Sequence, residues 1–271
     1  MNMQDSPSLL CTNEKRVYGP VNSWRLGQSL GIDPIFTKST CSYNCIYCQL
    51  GSIQDITNNY KIYVPTDEII KDLQEFLPLK QPLDIITYSG SGEPTLAANL
   101  GEVIREVRGV VPDIPQCILT NATMLHNSSV VEDLNQLDRV IVKLDAWDEE
   151  MFQRVNRPIA GVTLMDLVDG ICHFRQQFKG TLEVQTMIFS TNIKQDLEAF
   201  AQLLIRISPD LVQLNTPKRP YPMSWHRENR GNHQGIFNYE VRQLKTITKE
   251  QATIITQHLK ELTSLEIISI R

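Results

Sequence analysis

The sequence predicts an α/β fold in which parallel strands alternate with helices. Short apolar runs rich in β-branched residues alternate along the chain with longer segments whose apolar residues recur at helical spacing. This alternation repeats six times, and parallel strands need such crossover helices between them. Periodicity alone leaves open whether the sheet is an open doubly wound sheet or a partial barrel.

Six runs are predicted as the parallel strands because they are short, apolar and rich in β-branched residues. In chain order these runs are Ile35–Lys38, Ile85–Tyr88, Cys117–Thr120, Val140–Leu144, Leu182–Phe189 and Leu211–Asn215. A further run, Leu265–Ile270, predicts an extra edge strand, and the sequence does not identify its partner.

Helices are predicted from six apolar stripes that alternate with these strands. The stripes span Ile69–Leu77, Leu100–Val107, Val130–Leu137, Leu164–Phe178, Leu197–Ile207 and Ala252–Leu262. At the start of the first helix, Thr66 precedes Asp67 and Glu68. A hydroxyl cap followed by acids in the first turn is what a helix start favours, so Thr66 is the predicted cap.

Length and composition predict one globular domain in the cytoplasm. The chain has 271 residues, of which 41% are hydrophobic and 21% charged, and it shows neither a membrane-spanning apolar stretch nor a secretory signal. The net charge of −5 is unusual for a general nucleic-acid binder, although a local basic patch would suffice. We expect a lead-in over 1–33, core βα units over 34–215, a candidate substrate lid over 216–247, and a final helix and edge strand over 248–271.

Three cysteines in eight residues are the most informative feature of the chain. Cys41, Cys45 and Cys48 have the spacing Cys-x3-Cys-x2-Cys. A structural zinc site needs four protein ligands, and an ordinary 4Fe–4S carrier takes four cysteines. Three thiolates on one loop can instead hold three irons of a cubane cluster and leave the fourth iron open. The alternatives are a zinc knuckle with a distant fourth ligand or a chance grouping of cysteines.

This loop resembles the cluster loop of radical S-adenosylmethionine (radical SAM) enzymes. The resemblance implies a partial (β/α)6 TIM-like barrel with two cofactors, a 4Fe–4S cluster and SAM. In that family the open iron chelates SAM, and an electron from the cluster splits SAM into methionine and a 5′-deoxyadenosyl radical. An aromatic residue before the last cysteine is usual near the adenine, and Tyr47 occupies that place.

The segment before the loop resembles a narrower group of radical SAM proteins. Residues Tyr18 to Gly31 are similar to the lead-in of a subgroup related to the wyosine-type tRNA-modifying Fe–S oxidoreductases. This resemblance implies that Arg25 points at the cluster or at SAM; the alternative is a surface arginine. The wyosine-forming enzymes carry a further cysteine set for an auxiliary cluster, and this chain shows none, which argues against that reaction.

A glycine-rich turn follows the strand predicted over Ile85–Tyr88. It resembles the family's Gly-Gly-Glu element, which binds the SAM amino group, with a serine in place of the first glycine. The implied SAM-binding residues are Ser89, Gly90, Ser91, Gly92 and Glu93. Glycines let a backbone approach a ligand closely, but a glycine-rich βα turn without a ligand is the alternative.

Polar residues at or near later strand ends complete the candidate site. The resemblance implies SAM contacts for Asn121 and Gln185, and a SAM or substrate contact for Asn215. Lys143 and Asp145 lie on the same face of their strand and should pair inside the barrel. They either take part in binding or catalysis or form a structural ion pair. For the polar residues on the later strands, the alternative is an internal hydrogen-bonded network.

The loop over 216–247 is predicted to select the substrate. Its basic and aromatic residues are Lys218, Arg219, Tyr221, Trp225, His226, Arg227, Arg230 and His233. Such a set can grip a phosphate and stack on a base. It can equally shield the cluster from oxygen or pack as an ordinary surface loop.

The sequence therefore predicts a radical SAM oxidoreductase or transferase that abstracts hydrogen from an unidentified substrate. A low-potential donor, flavodoxin or ferredoxin, is the implied partner. The substrate is an RNA base, a protein or a metabolite, and the sequence does not decide among them. A non-catalytic Fe–S or zinc carrier or sensor is the alternative function. Of the remaining cysteines, Cys117 and Cys172 are predicted core residues, and Cys11 alone builds no second cluster.

Overall fold

The computed structural model describes residues 15–78, 81–189, 196–217, 221–231 and 239–269. Its strands are β1 (Val17–Ser23), β2 (Gly27–Ile32), β3 (Thr40–Cys41), β4 (Asp55–Ile56), β5 (Ile85–Tyr88), β6 (Gln116–Thr120), β7 (Arg139–Lys143), β8 (Thr181–Met187), β9 (Leu211–Asn215), β10 (Tyr221–Pro222), β11 (Val241–Arg242) and β12 (Ile267–Ser269). Its helices are α1 (Thr66–Glu75), α2 (Leu100–Val110), α3 (Ser128–Leu134), α4 (Glu149–Val155), α5 (Leu164–Gln177), α6 (Asp196–Ile207) and α7 (Lys249–Thr263).

Within those residues, eight strands form the main sheet. Their order is β1-β2-β5-β6-β7-β8-β9-β12. β1 runs antiparallel to β2, and every other neighbouring pair in this sheet is parallel. β1 and β12 have one partner each, so the sheet is open at its two edges. The carboxyl ends of the seven parallel strands share one side of the sheet, where ligand sites of α/β proteins lie.

Five of the six predicted parallel strands are confirmed to within two residues at each end. The additional strand β12 is also present, and it pairs in parallel with β9 through Ile267 and Val212. Residue 270, the end of the predicted run, lies outside the described part of the chain.

The predicted strand Ile35–Lys38 is wrong. The first parallel strand is β2, which ends at Ile32, and the chain then turns at Asp33. The Asp33 carboxylate accepts hydrogen bonds from the backbone N–H groups of Ile35 and Phe36, and Phe36 has a positive φ of 48°. A side chain that bonds the backbone two and three residues ahead favours a turn over an extended run.

Helix starts follow ordinary capping chemistry, with one correction. Thr248 and Gln251 form a capping box at α7, and Asp148 caps α4. Thr66 is not the cap of α1: it is the first helical residue, and Pro65 precedes it without a side-chain cap. The short helix α4 was not predicted, because its seven residues make too little of an apolar stripe.

The apolar core packs mainly between the sheet and its helices. A second, smaller buried cluster on the opposite face contains Leu26, Ile85, Cys117 and Ile141. Since successive strand residues alternate between the two faces, this cluster lies on the inner face of the curved sheet. Cys117 is buried as predicted, whereas Cys172 on α5 is only partly buried. Cys11 lies outside the described residues. None of the described helices is long and apolar enough to cross a membrane.

Candidate active site

The cysteine loop is held by two neighbours at the carboxyl side of the sheet. Thr40 exchanges backbone hydrogen bonds with the glycine-rich turn, donating to Ser91 O (3.0 Å) and accepting from Glu93 N (3.0 Å). Farther along the loop, Ile46 N donates to Val155 O (2.9 Å) at the end of α4. The loop conformation is therefore fixed by backbone contacts.

Hydrogen-bond donors contact all three sulfurs, and the Cys48 sulfur accepts from the backbone N–H of Leu50. Cys41 Sγ accepts from Tyr43 N (3.4 Å) and Asn121 Nδ2 (3.5 Å), and Cys45 Sγ accepts from Asn156 Nδ2 (3.6 Å). Such donors stabilise thiolate ligands and tune a cluster.

Burial makes these cysteines poor acids when no metal is bound. It raises the pKa of the Cys45 thiol to about 12, that of the Cys48 thiol to about 11, and that of Cys41 well above its usual value. Metal binding at such sites displaces the protons, so the thiols become ligands only together with a cation.

The donor set fits a cubane cluster better than a single ion. Among the described residues, no group of three or more His, Cys, Asp or Glu side chains converges to hold one metal ion. A cubane cluster needs no such convergence, because each thiolate binds a different iron. The three cysteines with their N–H donors therefore suit a 4Fe–4S cluster.

Glu93 is buried and links the second and third parallel strands at their ends. Its Oε1 accepts from Thr95 N (3.1 Å), Thr95 Oγ1 (2.6 Å) and Thr120 Oγ1 (2.6 Å), and its Oε2 accepts from Asn121 N (2.7 Å). Burial raises the pKa of this carboxyl above its ordinary value, and these donors oppose the rise. Oε2 has a single donor, so it retains acceptor capacity for a cationic ligand.

The other residues of the glycine-rich turn mainly determine its backbone conformation and packing. Ser91 donates from N (2.9 Å) and Oγ (2.6 Å) to Asp33 Oδ2, so its hydroxyl is engaged away from the cysteine loop. Gly90 has a φ of 154°, and a Cβ there would lie 2.3 Å from Asp33 Cγ. A Cβ on Gly92 would lie 1.7 Å from Thr40 O. The two glycines are therefore required for the turn to pack against its neighbours. Ser89 Oγ hydrogen bonds to the Tyr18 hydroxyl (2.9 Å).

Asn121 braces the cysteine loop. Besides its bond to Cys41, its Nδ2 donates to Ser42 Oγ (2.8 Å), and its Oδ1 accepts from Thr123 N (3.0 Å). The side chain that the sequence assigned to SAM is therefore largely used within the protein.

Asp145 forms a buried hub at the end of β7. Its Oδ1 lies 2.9 Å from Lys143 Nζ, which agrees with the predicted pairing, and accepts from Met187 N (2.7 Å). Its Oδ2 accepts from the Tyr47 hydroxyl and from Asn156 Nδ2 (2.8 Å). The Lys143 ammonium also lies 5.1 Å from the centre of the Tyr47 ring. The hub therefore fixes the aromatic residue that precedes the last cysteine.

The interior polar residues form a network across β8 and β9. Gln185 Nε2 donates to Gln213 Oε1 (3.3 Å), which also accepts from Arg25 Nη1 (3.3 Å). Gln213 in turn donates to Glu183, which is ion-paired with Arg139. Arg25 thus reaches the inner face of the sheet.

The predicted lid is partly described, because Lys218, Arg219 and His233 lie outside the described residues. Arg230 is 1% exposed and donates to Asp33 Oδ2 (2.9 Å), which ties the segment to the end of β2. The Tyr221 hydroxyl reaches the backbone oxygen of Cys45 (3.4 Å). Trp225, His226 and Arg227 lie in the same described segment and are partly buried.

Two functional residues were missed by the sequence analysis. Asp33 joins the glycine-rich turn to Arg230, and Asn156 joins Cys45 to Asp145. Asp33 carried a weak signal, since Asp-Pro marks a turn at a strand end. Asn156 carried none, because its helix was not predicted.

The family of the chain follows from comparison with known proteins. The family model described as "Radical SAM superfamily" matches residues 35–204, more than half of the sequence. The chain belongs to the radical SAM superfamily. It is 48% identical over 219 residues to the UPF0026 protein slr1464 of Synechocystis sp., an alignment that covers 81% of this chain and 82% of that protein.

Solved structures confirm the fold. A radical SAM methyltransferase from Sphaerobacter thermophilus aligns with a TM-score of 0.60 at 12% identity and covers 89% of this chain and 65% of that one. Streptococcus suis SuiB bound to S-adenosylmethionine aligns with a TM-score of 0.59 at 13% identity and covers 90% of this chain and 47% of that one. This chain spans about half the length of SuiB. The predicted partial TIM-like barrel of the radical SAM type is therefore confirmed, as are the superfamily's cofactors, a 4Fe–4S cluster and SAM.

Proposed function

We propose that this protein is a radical SAM enzyme in which Cys41, Cys45 and Cys48 hold the 4Fe–4S cluster. When bound, the cluster supplies the electron that cleaves SAM to methionine and a 5′-deoxyadenosyl radical, which abstracts hydrogen from the substrate. The supporting observation is the loop itself. Its three cysteines lie beside the carboxyl ends of parallel strands, with protein N–H donors on the sulfurs of Cys41 and Cys45.

The chain's own residues have separable tasks in this proposal. Glu93 accepts the SAM amine at Oε2, which has acceptor capacity left. Tyr47, fixed by Asp145, lies near the adenine. Asn121 and Asn156 act on SAM indirectly by orienting the cysteine loop. Lys143 and Asp145 support the site by pairing with each other rather than by direct catalysis.

The proposal includes an electron donor and a position for the segment over 216–247. Comparable ferredoxin centres have potentials on the order of −400 mV, so a flavodoxin or ferredoxin is the donor class that fits. The segment over 216–247 is proposed to border the substrate side of the barrel. Its described part joins the end of β2 through the Arg230–Asp33 pair.

The test is SAM cleavage by the reconstituted protein. The protein is loaded anaerobically with iron and sulfide, reduced, and mixed with SAM, and 5′-deoxyadenosine is measured by chromatography and mass spectrometry. We expect product from the wild type and none after Cys41→Ala, Cys45→Ala or Cys48→Ala. Cys172→Ala, a partly buried cysteine on α5, is the matched control and should retain activity.

The alternative function gives a different result in the same experiment. A non-catalytic carrier or sensor would assemble a reducible cluster yet show neither product nor a SAM-induced change in its EPR spectrum. That outcome would contradict the proposal. A spectral change without product would retain SAM binding and require the natural substrate or donor to be added.

A further inference from the structure

A cavity of about 360 Å³ lies inside the sheet, and its walls extend from the strand ends to the β1–β2 hairpin. Ligand pockets span roughly 300–1,000 Å³, so this one is small. It suits a small molecule, and a macromolecule would have to insert a single base or side chain.

The cavity has a cofactor end and a hairpin end. Tyr47, Ser89 and Asn215 line it beside the carboxyl ends of the strands. Trp24 and Arg25 line it in the turn that precedes β2, which is at the opposite, amino end of the parallel strands. A SAM molecule held at the first end would therefore face a ligand that extends towards Arg25.

The hairpin end has a positive character. Arg25 is the formally charged residue among the described cavity walls, and these walls include no carboxylate. Its Nη1 donates to Gln213 Oε1 (3.3 Å), behind which Glu183 is ion-paired with Arg139. Two guanidinium groups and one carboxylate give this group a formal charge of +1. A guanidinium binds carboxylate and phosphate groups through paired N–H donors.

The aromatic lining favours a flat ring. Four aromatic residues contribute to it, from Tyr47 at the cofactor end to Trp24 at the hairpin end, together with Tyr18 and Tyr221. Aromatic side chains pack on planar ligands by stacking or edge contacts. Uncharged polar residues such as Asn22 also line the cavity.

Most of the cavity wall comes from parts of the chain outside the region matched by the superfamily model. That region is 35–204, whereas most of the described lining residues lie within 18–31 and 215–217 or are Tyr221 and Gly231. The shared barrel supplies the cofactor end, and the flanking segments supply the rest. Selection of a particular substrate belongs to such added segments.

We propose that this cavity is the substrate site and that it takes a small planar molecule bearing one carboxylate or phosphate, with its anionic group at Arg25. The inference rests on the proposed radical SAM function, since it places the ligand next to SAM. It assigns Arg25 to the substrate, in place of the cluster or SAM contact that the lead-in resemblance implies.

Paired anionic and neutral ligands test the site. Guanosine 5′-monophosphate is compared with guanosine, and indole-3-acetate with indole-3-acetamide, by anaerobic calorimetry on the cluster-loaded protein with SAM present. We expect the anionic member of at least one pair to bind at least tenfold more tightly than its neutral partner. The responding pair identifies phosphate or carboxylate as the recognised group.

Variants assign the preference to Arg25. Arg25→Gln should abolish the tenfold preference, and Arg25→Lys should retain part of it, with SAM affinity unchanged in both. Arg154→Gln, which removes an exposed arginine on α4 with a side chain 64% exposed, should keep the full preference. If Arg25→Gln fails to fold, Arg25→Lys is compared with the wild type instead. This variant keeps the charge and loses only the paired donors, so its anion preference should be smaller than that of the wild type.

Several results would overturn the proposal. They are equal binding of both members in both pairs, an anion preference that neither Arg25→Gln nor Arg25→Lys reduces, or Arg25-dependent binding of an RNA hairpin but of neither small anion. SAM binding and 5′-deoxyadenosine formation are measured separately without these ligands. Loss of those activities with anion binding intact would refute the proposed function and leave the anion site standing.

Discussion

At the scale of single residues, Glu93 shows how one side chain can serve the fold and the ligand together. The sequence suggests an acceptor for a cationic amine, and the structure shows a carboxylate that already takes four hydrogen bonds from three residues. Three of these bonds go to Oε1 and one goes to Oε2. Removal of the whole side chain therefore affects folding as well as binding, whereas Glu93→Gln keeps the shape and the acceptor at Oε1.

Glu93→Gln should weaken SAM binding and leave cluster assembly intact. The amide oxygen can keep the three bonds at Oε1, but the NH2 group in place of Oε2 loses the bond from Asn121 N and the charge that attracts the SAM ammonium. Hydrogen bonds to charged groups contribute about 1.5–3 kcal/mol, so we expect a loss of affinity of roughly tenfold or more. Anaerobic calorimetry gives the affinity, and iron content with the visible spectrum gives cluster loading. An unchanged SAM affinity would remove Glu93 from its proposed role.

At the scale of elements, an ion pair holds the segment after β9 against the end of β2. Arg230 and Asp33 are 1% and 0% exposed in their side chains and form an ion pair of 2.9 Å. The same Asp33 oxygen accepts from Ser91, so the pair connects the segment to the glycine-rich turn. Arg230 also lies over the rings of Tyr18 and Phe36, at 5.0 and 5.2 Å from their centres. The described part of the predicted lid is therefore a fixed strap at this point.

Asp33→Asn should destabilise the protein and loosen both connected segments. It leaves a buried guanidinium without its carboxylate, and breaking a buried pair in this way costs about 3–5 kcal/mol. For a protein of this size, that is a fall in Tm of at least about 6 °C. Hydrogen exchange should rise over residues 85–95 and 221–231.

The control for this prediction is a pair at the surface. Asp169→Asn breaks the ion pair between α5 and α6, whose side chains are 57% and 45% exposed for Asp169 and Arg206. Exposed pairs contribute about 0–1 kcal/mol, so its Tm should stay close to that of the wild type. Equal Tm values for the two variants would show that the buried ion pair stabilises the protein no more than the exposed one does.

At the scale of the whole molecule, the sequence predicts the parts whose signals are local. Strand runs and apolar stripes arise from neighbouring residues, so six of the seven described helices and six of the eight strands of the main sheet are predicted near their true bounds. The strand predicted at Ile35–Lys38 failed because the Asp33 side chain bonds the backbone there and turns the chain. The Arg230–Asp33 pair joins positions 197 residues apart, and no sequence periodicity reports such a contact.

The barrel interior also sets how the stability of the metal-free protein depends on pH. Burial raises the pKa of the Cys117 thiol from 9.0 to about 12. Between those values the unfolded chain releases the thiol proton while the folded chain keeps it, so the folded state binds more protons and stability falls as pH rises. One such group contributes a slope of up to about 1.4 kcal/mol per pH unit.

Cys117→Ala should therefore flatten the decline in the free energy of unfolding above pH 9. Urea unfolding of both metal-free proteins at several values from pH 8 to 10.5 gives the two curves. We expect a constant offset below pH 9, which reports the lost packing against Leu26, Ile85 and Ile141, and convergence of the curves above it. Curves that remain parallel throughout would mean that the Cys117 thiol ionises as readily in the folded barrel as in the unfolded chain. The surroundings of Cys117 on the inner face of the sheet would then be hydrated, which contradicts the buried position that the structure shows.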